Sequence, residues 1–216
     1  MNRSVHREHT EREALVETLV AKGIKDEGVL AAIYSVPRHT FVDPIFERRA
    51  YEDSALPIDC QQTISQPYTV AKMTELLQVK KYDKVLEVGT GSGYQACILA
   101  EMGARVFTIE RHLDLLNRAR KMFDKLGYNI ASRTGDGTVG WSEYAPYDGI
   151  IVTAGAPEVP QSLVKQLADG GRLVIPTGSQ QSQSLVIVTR KGSEFGYSEI
   201  GGFKFVPLVG KEGWQK

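Results

Sequence analysis

The sequence predicts a doubly wound α/β fold: a mostly parallel sheet with helices on both faces, helices ahead of it and an antiparallel edge at its end. Three observations point there. From Lys84 to Pro176, short apolar runs alternate with segments of helical period, the pattern of a parallel sheet covered on both sides. The turn between the first run and the first of these helices carries Gly89, Gly91 and Gly93 at alternate positions. The last apolar runs, 184–190 and 203–208, have no long helix between them, so they return antiparallel.

The elements follow in order. Residues 8–21 place Ala14, Leu15, Leu19 and Val20 at helical spacing with charges between them. Gly23 stops that helix, and a second, over 26–35, turns Val29, Leu30 and Ile33 inward. Pro37 and Pro44 exclude regular helix across 36–44. Residues 51–64 show little periodicity and end in Thr63-Ile-Ser-Gln-Pro67. A helix starting near Tyr68 then buries Val70, Met73, Leu76 and Leu77. Strands are predicted over 85–88, 105–109, 130–134, 149–153 and 173–176, and helices over 94–102, 113–126 and 160–167. The whole chain, 1–216, makes one domain.

Composition narrows the function. Lys plus Arg and Asp plus Glu both number 26, so no basic excess favours a nucleic-acid backbone. No apolar run is long enough to span a bilayer, and the first residues are polar, unlike a signal peptide. Cys60 and Cys97 are too few for a disulfide framework. Cys97, beside Ala96 and Ile98, reads as a small buried hydrophobe. The histidines do not form a metal-ligand set, and no metal is expected. A monomeric cytoplasmic protein, bound to neither nucleic acid nor membrane, is the expectation.

The glycine turn carries the chemistry. Tyr94 occupies the third glycine position of a dinucleotide fingerprint, and no Gly-Lys-Ser/Thr follows, so dinucleotide and P-loop readings both fail. Glu87-x-Gly89-x-Gly91-x-Gly93 instead resembles the first motif of class I S-adenosylmethionine-dependent methyltransferases, whose glycine loop cradles the methionine part of the cofactor. Glu110 ends the second strand, where a carboxylate can accept hydrogen bonds from ribose hydroxyls. An acid opening the next helix is the plainer alternative. Asp136-Gly137, after the third strand, resembles the segment flanking adenine in these enzymes, and also fits a simple turn. Thr153-Ala-Gly-Ala-Pro157 lacks the paired prolines, carboxamide and aromatic ring used to hold a flipped base, which demotes a nucleic-acid substrate.

A longer set of motifs is more specific. Thr63-Ile-Ser-Gln-Pro67 precedes a helix and then Val85-Leu-Glu-Val-Gly-Thr-Gly-Ser-Gly-Tyr94. With them come Val36-Pro-Arg38, Phe41-Val42, Tyr51, Ala55-Leu-Pro-Ile58, Gly135-Asp-Gly137, Tyr147-Asp-Gly-Ile-Ile-Val152, Ala154-Gly-Ala-Pro157, the run from Leu167 to Gly178, and Phe205-Val-Pro-Leu208. Together, over about 8–210, they resemble the protein-L-isoaspartate (D-aspartate) O-methyltransferase family in its bacterial form. The resemblance implies a class I methyltransferase fold of Rossmann-like type, with 1–82 as helical cap and substrate segment and 83–216 as cofactor-binding core. It implies methyl transfer from S-adenosyl-L-methionine, leaving S-adenosyl-L-homocysteine, to the free carboxylate of isoaspartyl residues in damaged peptides and proteins. The ester then collapses through a succinimide, which restores some aspartate.

Site residues follow from the same resemblance. Thr63, Ile64, Glu87, Gly89, Thr90, Gly91, Gly93, Glu110, Arg111, Asp136 and Gly137 would hold the cofactor. Ser65 matches the active-site serine, and Ser65, Gln66, Ile175, Pro176 and Val206 would meet the substrate. The chemistry asks for little more. A carboxylate is ionised at neutral pH and needs alignment with the methyl–sulfur bond rather than a strong base. Ser65 would orient one carboxylate oxygen; capping the following helix is its alternative role. The segments around Ile175-Pro176 and Val206 are extended and suit pairing with a peptide backbone, although core strands ending in proline would look the same. Ser65-Gln-Pro-Tyr68 departs from the animal members, as does the tail from Val209, so contacts of the animal tail do not carry over. A small-molecule O-methyltransferase of the same fold, or a cofactor-binding protein without catalysis, stands as the competing reading.

Overall fold

The computed structural model describes residues 3–215. Helix α1 (Arg3–Ala21) buries Leu15 and Leu19, while Val20 stays 52% exposed, so the inward stripe is narrower than the sequence pattern suggested. Helix α2 (Glu27–Ser35) is capped by Asp26, whose side chain accepts the Val29 N–H at 3.0 Å. Two three-residue-per-turn helical segments, Arg38–Phe41 and Pro44–Arg49, fill the proline-bounded link. The aperiodic stretch that follows contains a hairpin, β1 (Leu56–Pro57) with β2 (Thr63–Ile64), paired antiparallel. Cys60 and Gln61 at its tip both take left-handed backbone angles, φ 56° and 57°. Helix α3 (Pro67–Leu77) begins directly after Ser65-Gln66.

The rest is a seven-stranded sheet. Its strands are β3 (Lys84–Val88), β4 (Arg105–Glu110), β5 (Ala131–Thr134), β6 (Tyr147–Val152), β7 (Leu167–Gly178), β8 (Gln183–Lys191) and β9 (Glu194–Phe203), in the spatial order β5-β4-β3-β6-β7-β8-β9. The pairings from β5 to β7 are parallel and the last two antiparallel. Helices α4 (Tyr94–Glu101), α5 (Leu113–Leu126) and α6 (Gln161–Val164) join the parallel strands. The chain runs outward from β3 to β5 and then restarts at β6 on the other side of β3. The crevice beyond the carboxyl ends of β3 and β6 is therefore the topological switch point.

Alternate side chains feed two separate cores. Val85, Ile151, Val174 and Ile187 pack with α1 to α4, in one cluster that reaches from Leu15 through Ile98. Leu86, Ile150, Leu173 and Val188 pack on the opposite face with Tyr147, Leu163 and Leu167. Truncating a fully buried Leu86 or Leu173 to alanine would cost about 2–5 kcal/mol.

Helix α6, strand β7 and the closing strand depart most from the sequence expectation. Helix α6 has one turn rather than spanning 160–167, because Leu167 already pairs with Tyr147 at the start of β7. The closing strand is Glu194–Phe203, not 203–208. All but its last residue are exposed, so it shows no burial alternation in sequence. Residues 205–208 are instead a link tied to the sheet's ligand edge: Gly155 N donates to Val206 O and Leu208 N to Gly155 O, each at 2.8 Å.

Candidate active site

Strand β3 delivers the glycine turn into the switch-point crevice. Gly89, Gly91 and Gly93 have φ of 97°, 52° and 88°, angles that side chains with a Cβ rarely adopt. Their surroundings give them different tasks. A Cβ on Gly89 would lie 2.5 Å from Thr153 Oγ1, and one on Gly93 2.7 Å from the Phe123 ring. Gly93 thus lets α5 pack closely against the turn and does not line the crevice. Thr153, just beyond β6, donates through its hydroxyl to Gly89 O at 2.6 Å, locking the turn to the neighbouring strand.

Two carboxylates flank the turn. Glu87 is fully buried. Its Oε2 accepts from the Thr108 hydroxyl at 2.5 Å, and Thr108 lies 2.6 Å from the Thr90 hydroxyl. Among the described residues its Oε1 has no hydrogen-bond partner, and burial pushes the carboxyl up to about 8. Glu110 accepts the Gly91 N–H at 2.9 Å and the His112 N–H at 3.0 Å, so it braces the turn from the end of β4.

Asp136, expected from the sequence to contact the cofactor, also holds main chain within the protein. Its Oδ1 accepts from the Thr138 N–H and hydroxyl at 2.8 and 2.7 Å, and its Oδ2 from the Lys211 N–H at 2.7 Å. Partial burial acts to raise its carboxyl, yet these donors hold it below the ordinary value. The side chain anchors the C-terminal tail, and the flanking Gly135 and Gly137 line the crevice.

The crevice has about 1030 Å³ of empty space, its open mouth included. It brings together Thr63, Ile64, Ser65, Glu87, Gly89, Thr90, Gly91, Glu110, Arg111, Gly137 and Val206 from the sequence-derived set. A second cleft adjoins it, running past Gln66 and Thr69 to Ile200–Val206 on the far wall. Thr63, Ser65, Thr153 and Val206 line both clefts, so the two meet at these four residues. The Ser65 hydroxyl makes no hydrogen bond among the described residues and does not cap α3. Asp53 takes that role: its Oδ1 accepts the Tyr68 N–H at 2.8 Å and its Oδ2 the Gln66 Nε2 at 3.1 Å.

Ile175 and Pro176, expected to meet the substrate, line neither cleft. Both are buried within β7, which is paired by β6 and β8, and Pro176 O already accepts the Ala156 N–H. An interior strand has no free main-chain edge to offer a peptide. Sequence reasoning also missed participants. Thr153 was passed over because its loop was judged only for base-binding features. Asp53 acts on a helix start from fifteen residues upstream, and Leu208 and Val209 of the tail close one wall of the crevice. Among the described residues no group of three or more His, Cys, Asp or Glu side chains is placed to hold a metal.

The partnerless Glu87 oxygen, the glycine turn and the carboxylate of Glu110 at the end of β4, at the switch point of this sheet order, define a class I methyltransferase. The sequence matches the family described as protein-L-isoaspartate(D-aspartate) O-methyltransferase over residues 10–213, and the chain belongs to that family. It is 55% identical to the protein-L-isoaspartate O-methyltransferase of Salinibacter ruber, over 94% of this chain and 93% of that one. It is 52% identical to protein-L-isoaspartate O-methyltransferase 1 of Syntrophobacter fumaroxidans, over 94% of this chain and 96% of that one. The fold is similar to a solved protein-L-isoaspartate O-methyltransferase (TM-score 0.84, 29% identity, 94% of this chain and 67% of that one). It is also similar to a putative Plasmodium falciparum enzyme solved in complex with S-adenosyl-L-homocysteine (TM-score 0.79, 26% identity, 92% and 98%).

Proposed function

We propose that this chain transfers a methyl group from S-adenosyl-L-methionine to the free carboxylate of L-isoaspartyl, and D-aspartyl, residues in damaged proteins, the first step of their repair. The observation that carries the proposal is the meeting of the two clefts at Ser65 and Thr153. One cleft has the polar floor an adenosyl amino acid needs; the other is lined by neutral groups apart from Lys204, as suits a peptide.

Bound S-adenosylmethionine supplies an electrophilic methyl group on a sulfonium. The residues do the rest by placement. The buried Glu87, with one oxygen free, suits an ammonium, and Glu110 at the end of β4 suits ribose hydroxyls. Gly89, Gly91 and Gly137 present main chain to the ligand along the crevice wall. Thr63, Ile64, Thr90 and Arg111 complete that cleft. Ser65 donates its free hydroxyl to the substrate carboxylate and holds one oxygen in line for attack, with Gln66 and Val206 flanking the peptide. The oxygen forms its bond to the methyl carbon as the carbon–sulfur bond breaks, the electron pair leaves on sulfur as S-adenosyl-L-homocysteine, and no proton moves. No general base is required, so alignment and exclusion of water supply the rate.

The unpaired cysteines support action in the cytoplasm, and the zero formal net charge supports action away from nucleic acid. No helix among the described residues is long and apolar enough to cross a membrane. The test is transfer of labelled methyl to an isoaspartyl peptide and to its aspartyl counterpart. Labelling confined to the isoaspartyl peptide is expected, and equal labelling, or none, contradicts the proposal.

A further inference from the structure

The second cleft, which shares Ser65 with the first, carries a single charged side chain. Among the residues lining it, Lys204 is the one charged side chain; its neighbours there include Thr63, Gln66, Thr69 and Ser182, all neutral. Lys204 is exposed, and among the described residues no hydrogen bond or ion pair engages its ammonium. Its main chain, by contrast, is held on both sides. Phe203 pairs with Gln183 at the end of β9, and the buried Gln183 side chain accepts the Phe205 N–H at 2.8 Å. A free cation is thus presented from a fixed point on the rim.

The reaction explains why the cation belongs on the rim. A carboxylate loses its charge as it bonds to the methyl carbon. A cation paired with that carboxylate would stabilise the reactants more than the transition state and slow the step. A neutral hydroxyl such as Ser65 orients the carboxylate without that penalty. A cation is useful only toward a part of the substrate whose charge does not change during transfer.

We propose that Lys204 is a specificity-determining residue whose ammonium pairs with an acidic side chain flanking the isoaspartyl residue, so that acid-flanked damage sites are preferred. The inference rests on the function proposed above and adds a substrate class to it. An exposed pair of this kind gives a modest, salt-sensitive preference.

The experiment uses three isoaspartyl peptides of one length, carrying Glu, Gln or Lys on either side of the isoaspartyl residue. They are assayed with the full chain and with Lys204→Ala and Lys204→Glu variants, at low and physiological salt. For the unsubstituted enzyme, kcat/KM should favour the Glu-flanked over the Gln-flanked peptide by about two- to fivefold, through KM, and less at higher salt. Lys204→Ala should erase that ratio, and Lys204→Glu should shift the preference to the Lys-flanked peptide. The same ranking of peptides in all three enzymes would overturn the proposal. So would an equal loss on every peptide carried by kcat, which would put Lys204 on the methyl-accepting carboxylate. Failure of the unsubstituted enzyme on all three peptides would overturn the proposed function itself, a result distinct from either.

Discussion

Asp53 Oδ1 accepts the main-chain N–H of Tyr68 at 2.8 Å, so the helix that follows Ser65 is capped by a residue outside it. The same side chain, 8% exposed, accepts from Gln66 Nε2 and pairs with Lys22 Nζ. The Ser65 turn is therefore held from below, and the hydroxyl that faces the clefts is left free of capping duty.

Removing that support separates position from chemistry. Asp53→Ala should lower stability by about 1–3 kcal/mol, the cost of a lost cap and an unpaired buried donor. It should also lower methyl transfer beyond what the unfolded fraction explains. Denaturant melts alongside kcat at a temperature where the variant is folded give both values. An unchanged kcat would deny Asp53 its hold on Ser65.

Ser65→Ala removes one neutral donor to the carboxylate. The expected loss in kcat/KM for an isoaspartyl peptide is about 10- to 100-fold, from misalignment and one missing hydrogen bond. The affinity for S-adenosylhomocysteine, by calorimetry, should change by much less. Full activity in the variant would refute the assigned role.

Glu87 carries a pH signature. Its folded value near 8 exceeds the ordinary 4.5, so the native state binds the proton more tightly than the unfolded chain between those values. Stability of the ligand-free protein should accordingly fall as pH rises from about 5 through 8. Binding of an ammonium-bearing ligand favours the ionised form, so S-adenosylhomocysteine should bind more tightly as pH rises through the same range. Glu87→Gln should flatten both profiles and weaken binding. Thermal melts and calorimetry from pH 5.5 to 8.5 check this, and identical profiles in the variant would refute it.

The tail is the part of the cofactor cleft that carboxylate anchors control. Asp136 accepts the Lys211 N–H, and Glu212 accepts the Ser162 N–H at 3.0 Å. Partial burial opposes ionisation of both, yet their hydrogen bonds hold them below the ordinary carboxylate value. Their contribution is present above that value and lost as pH falls through the folded one. Asp136→Ala should speed proteolysis of the last residues at neutral pH and weaken S-adenosylhomocysteine binding. Unaltered cleavage would show that the tail is held elsewhere.

The β1–β2 hairpin offers a stabilising change. Cys60 and Gln61 both carry positive φ in a two-residue turn, a conformation suited to Asn-Gly. Cys60→Asn with Gln61→Gly should stabilise by about 1 kcal/mol. A domain of this size should gain about 2–4 °C in Tm. A lower Tm would mean that the native side chains make compensating contacts.

The central parallel strands were legible because, buried on both faces, they read as apolar runs such as Gly149–Val152. Strand β9 was not, because both its faces are exposed and Gly196, Gly201 and Gly202 interrupt it. The glycine turn could be read from spacing alone, and so could the carboxylate of Glu110. Ser65 needed a family likeness, since a serine before a helix reads first as a cap. Asp53 and Thr153 were beyond reach: each acts on main chain brought near only by folding, at Tyr68 and Gly89. The anchoring bonds of Asp136 were hidden for the same reason, its partners being Thr138 and a tail seventy-five residues away.

The claim that two clefts meet at Ser65 is tested most directly by a crystal structure with S-adenosyl-L-homocysteine and an isoaspartyl peptide bound together. The expected result places the ribose against Glu110 and the peptide's free carboxylate within hydrogen-bond reach, about 2.5–3.0 Å, of Ser65 Oγ, facing the sulfur. A carboxylate seated away from Ser65, or an adenosyl group outside the Gly89–Gly93 crevice, would contradict it.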